Sequence, residues 1–165
     1  MAFNLLKKYN QLLELNAYTL HQCQETLKKI FARDIEQNGN FHFRGKKINP
    51  VSGEPIPMQT LFTHLTTVIT DKSTRKREYE PRRSERLHWL KHHIEEKKQA
   101  GMLVFSCSDP DGIRTYILDD EEAYVIILAP YRDRTEYYLL TAYYLDGRNT
   151  EKIKKKYKRR LPVLY

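Results

Sequence analysis

The chain is poor in cysteine, in glycine and in long apolar runs, and each shortage excludes a class of protein. Two cysteines in 165 residues, Cys23 and Cys107, cannot build a disulfide framework or a four-cysteine zinc site. They read as reduced packing residues of a cytoplasmic protein. Only 6 glycines are present, and no GxxxxGK[ST] or GxGxxG pattern occurs, which removes the loops that cradle nucleotide phosphates. The longest uninterrupted apolar run, Tyr124–Ala129 with Ala123 before it, falls far short of the roughly 20 residues that span a bilayer. No membrane partner is expected. The opening MAFNLLKKYNQ places its lysines after the apolar residues and has no small-residue cleavage site, unlike a secretory signal. No metal site or cofactor is expected: His88 and His92 share a helical face, but no third ligand accompanies them.

Acid is scarce relative to base. Lys plus Arg is 29 against 21 for Asp plus Glu, a formal charge of +8. The imbalance is local, since Gly101–Glu136 carries −5 and the remainder +13. A two-sided molecule with an anionic partner follows. Aromatics are not scarce: 12 Tyr, 6 Phe and 40% hydrophobic residues suffice for a core and exclude disorder throughout.

Apolar residues recur at helical spacing from residue 3 to about 37 (Leu6, Tyr9, Leu13, Leu20, Cys23, Leu27, Ile30, Phe31), which predicts one long amphipathic helix or two with a break near Asn16. Residues 1–38 are therefore assigned to an N-terminal helical extension and 39–165 to an α+β domain. Phe41–Phe43 reads as a short strand before a loop rich in glycine and proline, residues 59–70 are ambiguous between helix and strand, and 71–83 form a charged linker or basic loop. A helix follows from about Arg83 to Lys98, with Leu87, Leu90 and Ile94 inside and Ser84 as its cap. Met102–Cys107, Ile113–Leu118, Tyr124–Leu128 and Tyr137–Leu145 read as strands joined by short turns, and Arg148–Arg160 as a basic helix. The fold class predicted is α+β: a four-stranded antiparallel sheet packed against a helix, with a basic C-terminal helix.

Several residues stand out chemically. His64, within Phe62-Thr63-His64-Leu65-Thr66, is either a core residue or a proton carrier. Arg82, Arg83, Arg86 and His88 crowd the start of the central helix, where Trp89 either packs or stacks on a base. Alternation on the last strand sets Thr141 and Tyr143 on one face, as good strand formers or as hydroxyls that meet an anion. The run containing Lys154, Lys155, Lys156, Lys158 and Arg159 has seven bases in ten residues, hard to explain by pairing within the chain; it reads as a solvated charged face or, by preference, as a polyanion contact.

The order of these motifs, Arg83-x-x-Arg86-Leu87-His88-Trp89-Leu90, then Tyr124–Leu128, Tyr137–Tyr144 and a basic helix, resembles the phage-associated nuclease domains of the barnase, EndoU, colicin and RelE-like superfamily. The resemblance covers roughly residues 40–160. It implies a metal-independent endoribonuclease that cuts RNA, tRNA among the candidates, on the sheet face, toxin-like or phage-related, with an acidic antitoxin or immunity protein as neutralising partner. Carried over by position, His64 is base or acid, His88 its complement or a phosphate contact, Arg83 and Arg86 stabilise the phosphorane, and Thr141 or Tyr143 positions phosphate. Arg82, Tyr143, Lys154, Lys155, Lys156, Lys158 and Arg159 would bind the nucleic acid. Two other readings suit the same composition: a non-catalytic basic RNA- or DNA-binding protein, and a protein-interaction module docked through the N-terminal helix.

Overall fold

A computed structural model describes residues 2–165. Its N-terminal segment is helical only in part. A single turn, α1 (Ala2–Leu5), and a longer helix, α2 (Leu20–Phe31), are separated by irregular chain, and a π-helical turn (Ala32–Glu36) follows α2. The interruption is thus wider than a break near Asn16. Lys7, Lys8, Asn10 and Gln11 interrupt the apolar period, and the backbone here finds partners outside a helix. The Asn4 side chain bonds the Glu14 backbone in both directions, and Leu13 N–H donates to the Glu85 carbonyl at 2.9 Å. α2 starts where a reciprocal cap is available: the Thr19 hydroxyl accepts from Gln22 N–H, and the Gln22 side chain accepts from Thr19 N–H.

Next come β1 (His42–Phe43) and β2 (Lys46–Pro50), joined at Arg44-Gly45, where both residues have positive φ (49° and 79°), the turn that matches strand twist. α3 (Pro57–Thr66) opens on a proline at its first position and runs into β3 (Thr67–Asp71), which pairs with β4 (Lys76–Tyr79). The basic segment expected as a linker is thus largely a hairpin. Two short helices, α4 (Pro81–Ser84) and α5 (Trp89–Ile94), replace the expected single helix from Arg83 to Lys98. Glu80 caps α4, while Ser84 is buried and donates to the Thr66 carbonyl. Then follow β5 (Met102–Asp109), β6 (Gly112–Asp119), β7 (Tyr124–Pro130), β8 (Tyr137–Tyr144) and α6 (Gly147–Lys158).

The sheet is not the expected four-stranded antiparallel one. It has six strands in the order β1-β2-β8-β7-β6-β5 and is mixed, because β2 lies parallel to β8, while β3 and β4 form a separate two-stranded sheet. The strands β5 to β8 do pair antiparallel with their sequence neighbours. β2 escaped the pattern because Lys46, Lys47 and Pro50 are poor strand formers and its partner lies about ninety residues away.

Each sheet face carries its own buried cluster. One joins Leu27 and Ile30 of α2 and Leu90 and Ile94 of α5 to Ile117, Ile126 and Leu139; the other seats Ile153 of α6 against Phe105, Tyr116 and Val125. The N-terminal segment therefore shares a core with the sheet. A fully buried carboxylate ties them. Asp119 accepts from the Tyr9 hydroxyl (2.7 Å), His93 Nε2 (2.9 Å), Lys98 Nζ (2.7 Å) and the Glu122 backbone (3.0 Å). β2 pairs with β8 only as far as Leu139, and α3 and α4 pack against β8. That packing seats α3 against β8 and β2.

Candidate functional site

α3 carries its side chains in rows four residues apart. Thr60 and His64 form the row that opens into a cleft of about 460 Å³, closed on its far side by the β3–β4 hairpin. The hairpin contributes Arg75, Arg77 and Ile69, and the loop before α3 contributes Glu54. Register pairs Ile69 with Arg77, which sets both on the cleft side of the hairpin. Arg77 is held there by its Nε–H, which donates to the Thr67 hydroxyl at 3.0 Å.

Neither Arg75 nor Arg77 forms an ion pair among the described residues. Burial, with Arg75 beside it, holds the Arg77 guanidinium below its ordinary pKa. His64 is half-buried, and burial followed by the field of Arg77 lowers its pKa. The Leu140 carbonyl and Glu54 oppose that shift without reversing it. At neutral pH the imidazole therefore favours its unprotonated form, and it shares the cleft with two arginines and one carboxylate, Glu54.

Arg83 lies behind this cleft. Its Nη1 donates to the carbonyls of His64 (2.7 Å) and Thr67 (2.9 Å), at the last turn of α3, and its guanidinium lies over the Tyr143 ring with 5.2 Å to the centroid. A cation bound to the carbonyl end of a helix is favourably placed, so Arg83 fixes where His64 stands. Arg82 and Tyr143 line a second cleft of about 350 Å³ on the other side of the hairpin, with Asn149 and the capping carboxylates Glu80 and Asp146.

The remaining residues singled out from sequence are placed elsewhere. His88 is 6% exposed, its Nε2 lies 3.1 Å from the Lys8 carbonyl, and burial lowers its pKa; it lines neither cleft. The expected pairing of His64 with His88 is not found, because α5 turns His88 inward to hold the N-terminal segment. Arg86 lies over the Tyr144 ring (4.3 Å) and bonds Glu85 and the Arg82 carbonyl, which locks it structurally. Thr141 has a buried hydroxyl with no partner among the described residues and lines neither cleft. A bulge on β8, where Ile127 pairs with Thr141 but Leu128 with Leu139, resets the facing of this strand. On α6, Lys154 pairs with Asp120 at 3.1 Å and Lys156 pairs with Asp109. Lys155, Lys158 and Arg159 are exposed and form no ion pair among the described residues.

Sequence reasoning found His64 and missed Glu54, Arg75 and Arg77. The available signal was the density of bases in residues 71–83, but the spacing of eleven to thirteen residues between His64 and the arginines belongs to no local motif. Among the described residues no group of three His, Cys, Asp or Glu side chains is arranged to hold a metal ion. No helix among them is long and apolar enough to cross a membrane. Comparison of the chain with protein-family models, curated proteins and solved structures finds no match.

Proposed function

We propose that the chain is an endoribonuclease that cuts RNA through its own 2′-hydroxyl, with the cleft of His64, Arg75 and Arg77 as the active site. The observation that carries this reading is a half-buried imidazole opening into a cleft with two arginines that form no ion pair among the described residues. His64 takes the 2′-hydroxyl proton, the 2′-oxygen bonds to phosphorus, and the bond from phosphorus to the 5′-oxygen breaks. The proton is then returned to the 5′-oxygen, directly or through water, leaving a 2′,3′-cyclic phosphate. Arg75 and Arg77 bind the phosphate and its developing charge. Glu54 stabilises the imidazolium, and Arg83 is a positioning residue for His64. The exposed Lys155, Lys158 and Arg159 offer further purchase on the RNA backbone. Toxicity on expression with an acidic neutralising partner belongs to this reading.

The test is incubation of the purified protein with total tRNA and a structured RNA in EDTA, with product ends mapped. A 2′,3′-cyclic phosphate is expected, with activity reduced about 10²- to 10⁴-fold in His64→Ala and about 10²-fold or more in Arg77→Ala. His88→Ala retains cleavage in its folded fraction. Binding without cleavage, or cleavage abolished by EDTA, would overturn the proposal.

A further inference from the structure

The rows of α3 serve two cavities. Thr60 and His64 face the phosphate cleft, while Met58 and Phe62, two rows away, face a second cavity of about 660 Å³ between α3 and the end of α2. The row between them, Gln59 and Thr63, lines both cavities, and so does Ile56. The two spaces therefore flank one helix and adjoin along that row. The second space has an apolar, aromatic wall: Phe62 stands edge-on to Phe31 at 5.4 Å between centroids, with Met58 beside them. Its rim is polar. The exposed side chains of Gln24 and Gln59 have no hydrogen-bond partner among the described residues, and Lys28 and Glu36 add one charge of each sign. Ile56, 59% exposed, stands where the two cavities meet.

We propose that this cavity holds the nucleobase adjoining the scissile phosphate, so that the rows on either side of Gln59 and Thr63 divide the nucleotide between them. The inference rests on the ribonuclease reading and extends it to a subsite. A base is a flat ring with an apolar face and a polar edge, and it is joined through ribose to the phosphate. It fits an aromatic wall and a rim of free amides, which donate and accept at a base edge. Single-stranded RNA is recognised through such unstacked bases. Adjacency to the cationic cleft, with which it shares Ile56, Gln59 and Thr63, selects this occupant over a detached apolar ligand.

The experiment compares dinucleoside substrates carrying each of the four bases beside the scissile bond with one carrying an abasic ribose there. The wild type is expected to cut the preferred base-bearing substrate at least tenfold more efficiently than the abasic one. Met58→Ser and Phe62→Leu, neither of which lines the phosphate cleft, are expected to reduce that ratio of kcat/KM about tenfold. A parallel arm uses the His64→Ala protein. There Met58→Ser should weaken binding of 3′-nucleoside monophosphates relative to inorganic phosphate, measured by calorimetry. Cleavage that ignores the base, or variants that leave the ratio unchanged, overturn the base site and leave the ribonuclease reading standing. Nucleotide binding that depends on Met58 in a protein that cuts nothing overturns the ribonuclease reading instead.

Discussion

Replacing Asp119 by Asn removes the one charge that holds three distant elements together. In the native protein each carboxylate oxygen accepts two hydrogen bonds: Oδ2 from Tyr9 and His93, Oδ1 from Lys98 and the Glu122 backbone. Although burial opposes ionisation, these donors, Lys98 and His93 first, bring the Asp119 pKa down from 3.8 to about 2. Because the folded value lies below the unfolded one, the linked stability is fully present above pH 3.8 and disappears as pH falls through about 2. That linkage is worth about 2 kcal/mol at neutral pH. The amide loses more, because its NH₂ group confronts donors it cannot accept from, and breaking a buried ion pair on one side costs about 3–5 kcal/mol. Lys98 is 14% exposed and keeps Glu121 at 2.9 Å, so the lower end applies. With a urea m-value of about 2 kcal/mol/M, a loss of about 3 kcal/mol lowers the unfolding midpoint by about 1.5 M. Urea titrations of both proteins at pH 7 and pH 3 measure this, and the gap should narrow at the lower pH. Tyr9→Phe, which keeps the ring stacked on His92 at 4.0 Å, should lose about 1.5 kcal/mol. A change below about 1 kcal/mol in Asp119→Asn, or a gap that does not narrow in acid, would show that this carboxylate does not hold the elements together.

Arg77→Ala removes a cation that depresses His64, so the His64 titration followed by NMR should move up towards 6.5; a downward shift would refute the placement of the arginine. Cleavage that uses His64 as base should rise with pH through a midpoint below 6.5 and level off above it, and Arg77→Ala should move that midpoint upward in its residual activity. His88 is buried with a lowered pKa, so below pH 6.5 the unfolded chain binds the extra proton and stability falls with pH, by at most about 1.4 kcal/mol per pH unit for this residue. Denaturation of His88→Gln across pH 5 to 7 should show the slope reduced. Joint alanine substitution of Lys155, Lys158 and Arg159 should flatten the salt dependence of RNA binding by up to about 0.7 in log–log slope for each phosphate no longer neutralised, with little change in stability. Lys156→Ala should instead destabilise the fold, since it breaks the pairing with Asp109.

The site was legible in part because His64 announced itself as an ionisable group inside an apolar segment. Its companions did not. Glu54 lies in a turn-rich loop, and Arg75 and Arg77 read as members of a solvated charge run until β3 and β4 fold them back over α3. Conversely, the arginines and the histidine at the start of the central helix looked chemical because they were dense. Their density has a structural use: Arg83 holds the end of α3, Arg86 holds Tyr144, and His88 holds the N-terminal segment. A side chain's type limits what it can do, but its partners select among those uses.

By itself the sequence determined the local features. Alternating apolar residues between short turns placed β5 to β8, and the stripe of Leu87, Leu90 and Ile94 marked the buried side of the central helical region. These follow from periodicity, which is a property of neighbouring residues. The tertiary structure alone decided that β2 would add in parallel to β8, that the N-terminal segment would be anchored on Asp119, and that one histidine would open into a cleft while another was buried. Those outcomes join residues tens of positions apart. They depend on which apolar faces can be covered and which buried polar groups can be paired, quantities that no local window of the chain contains.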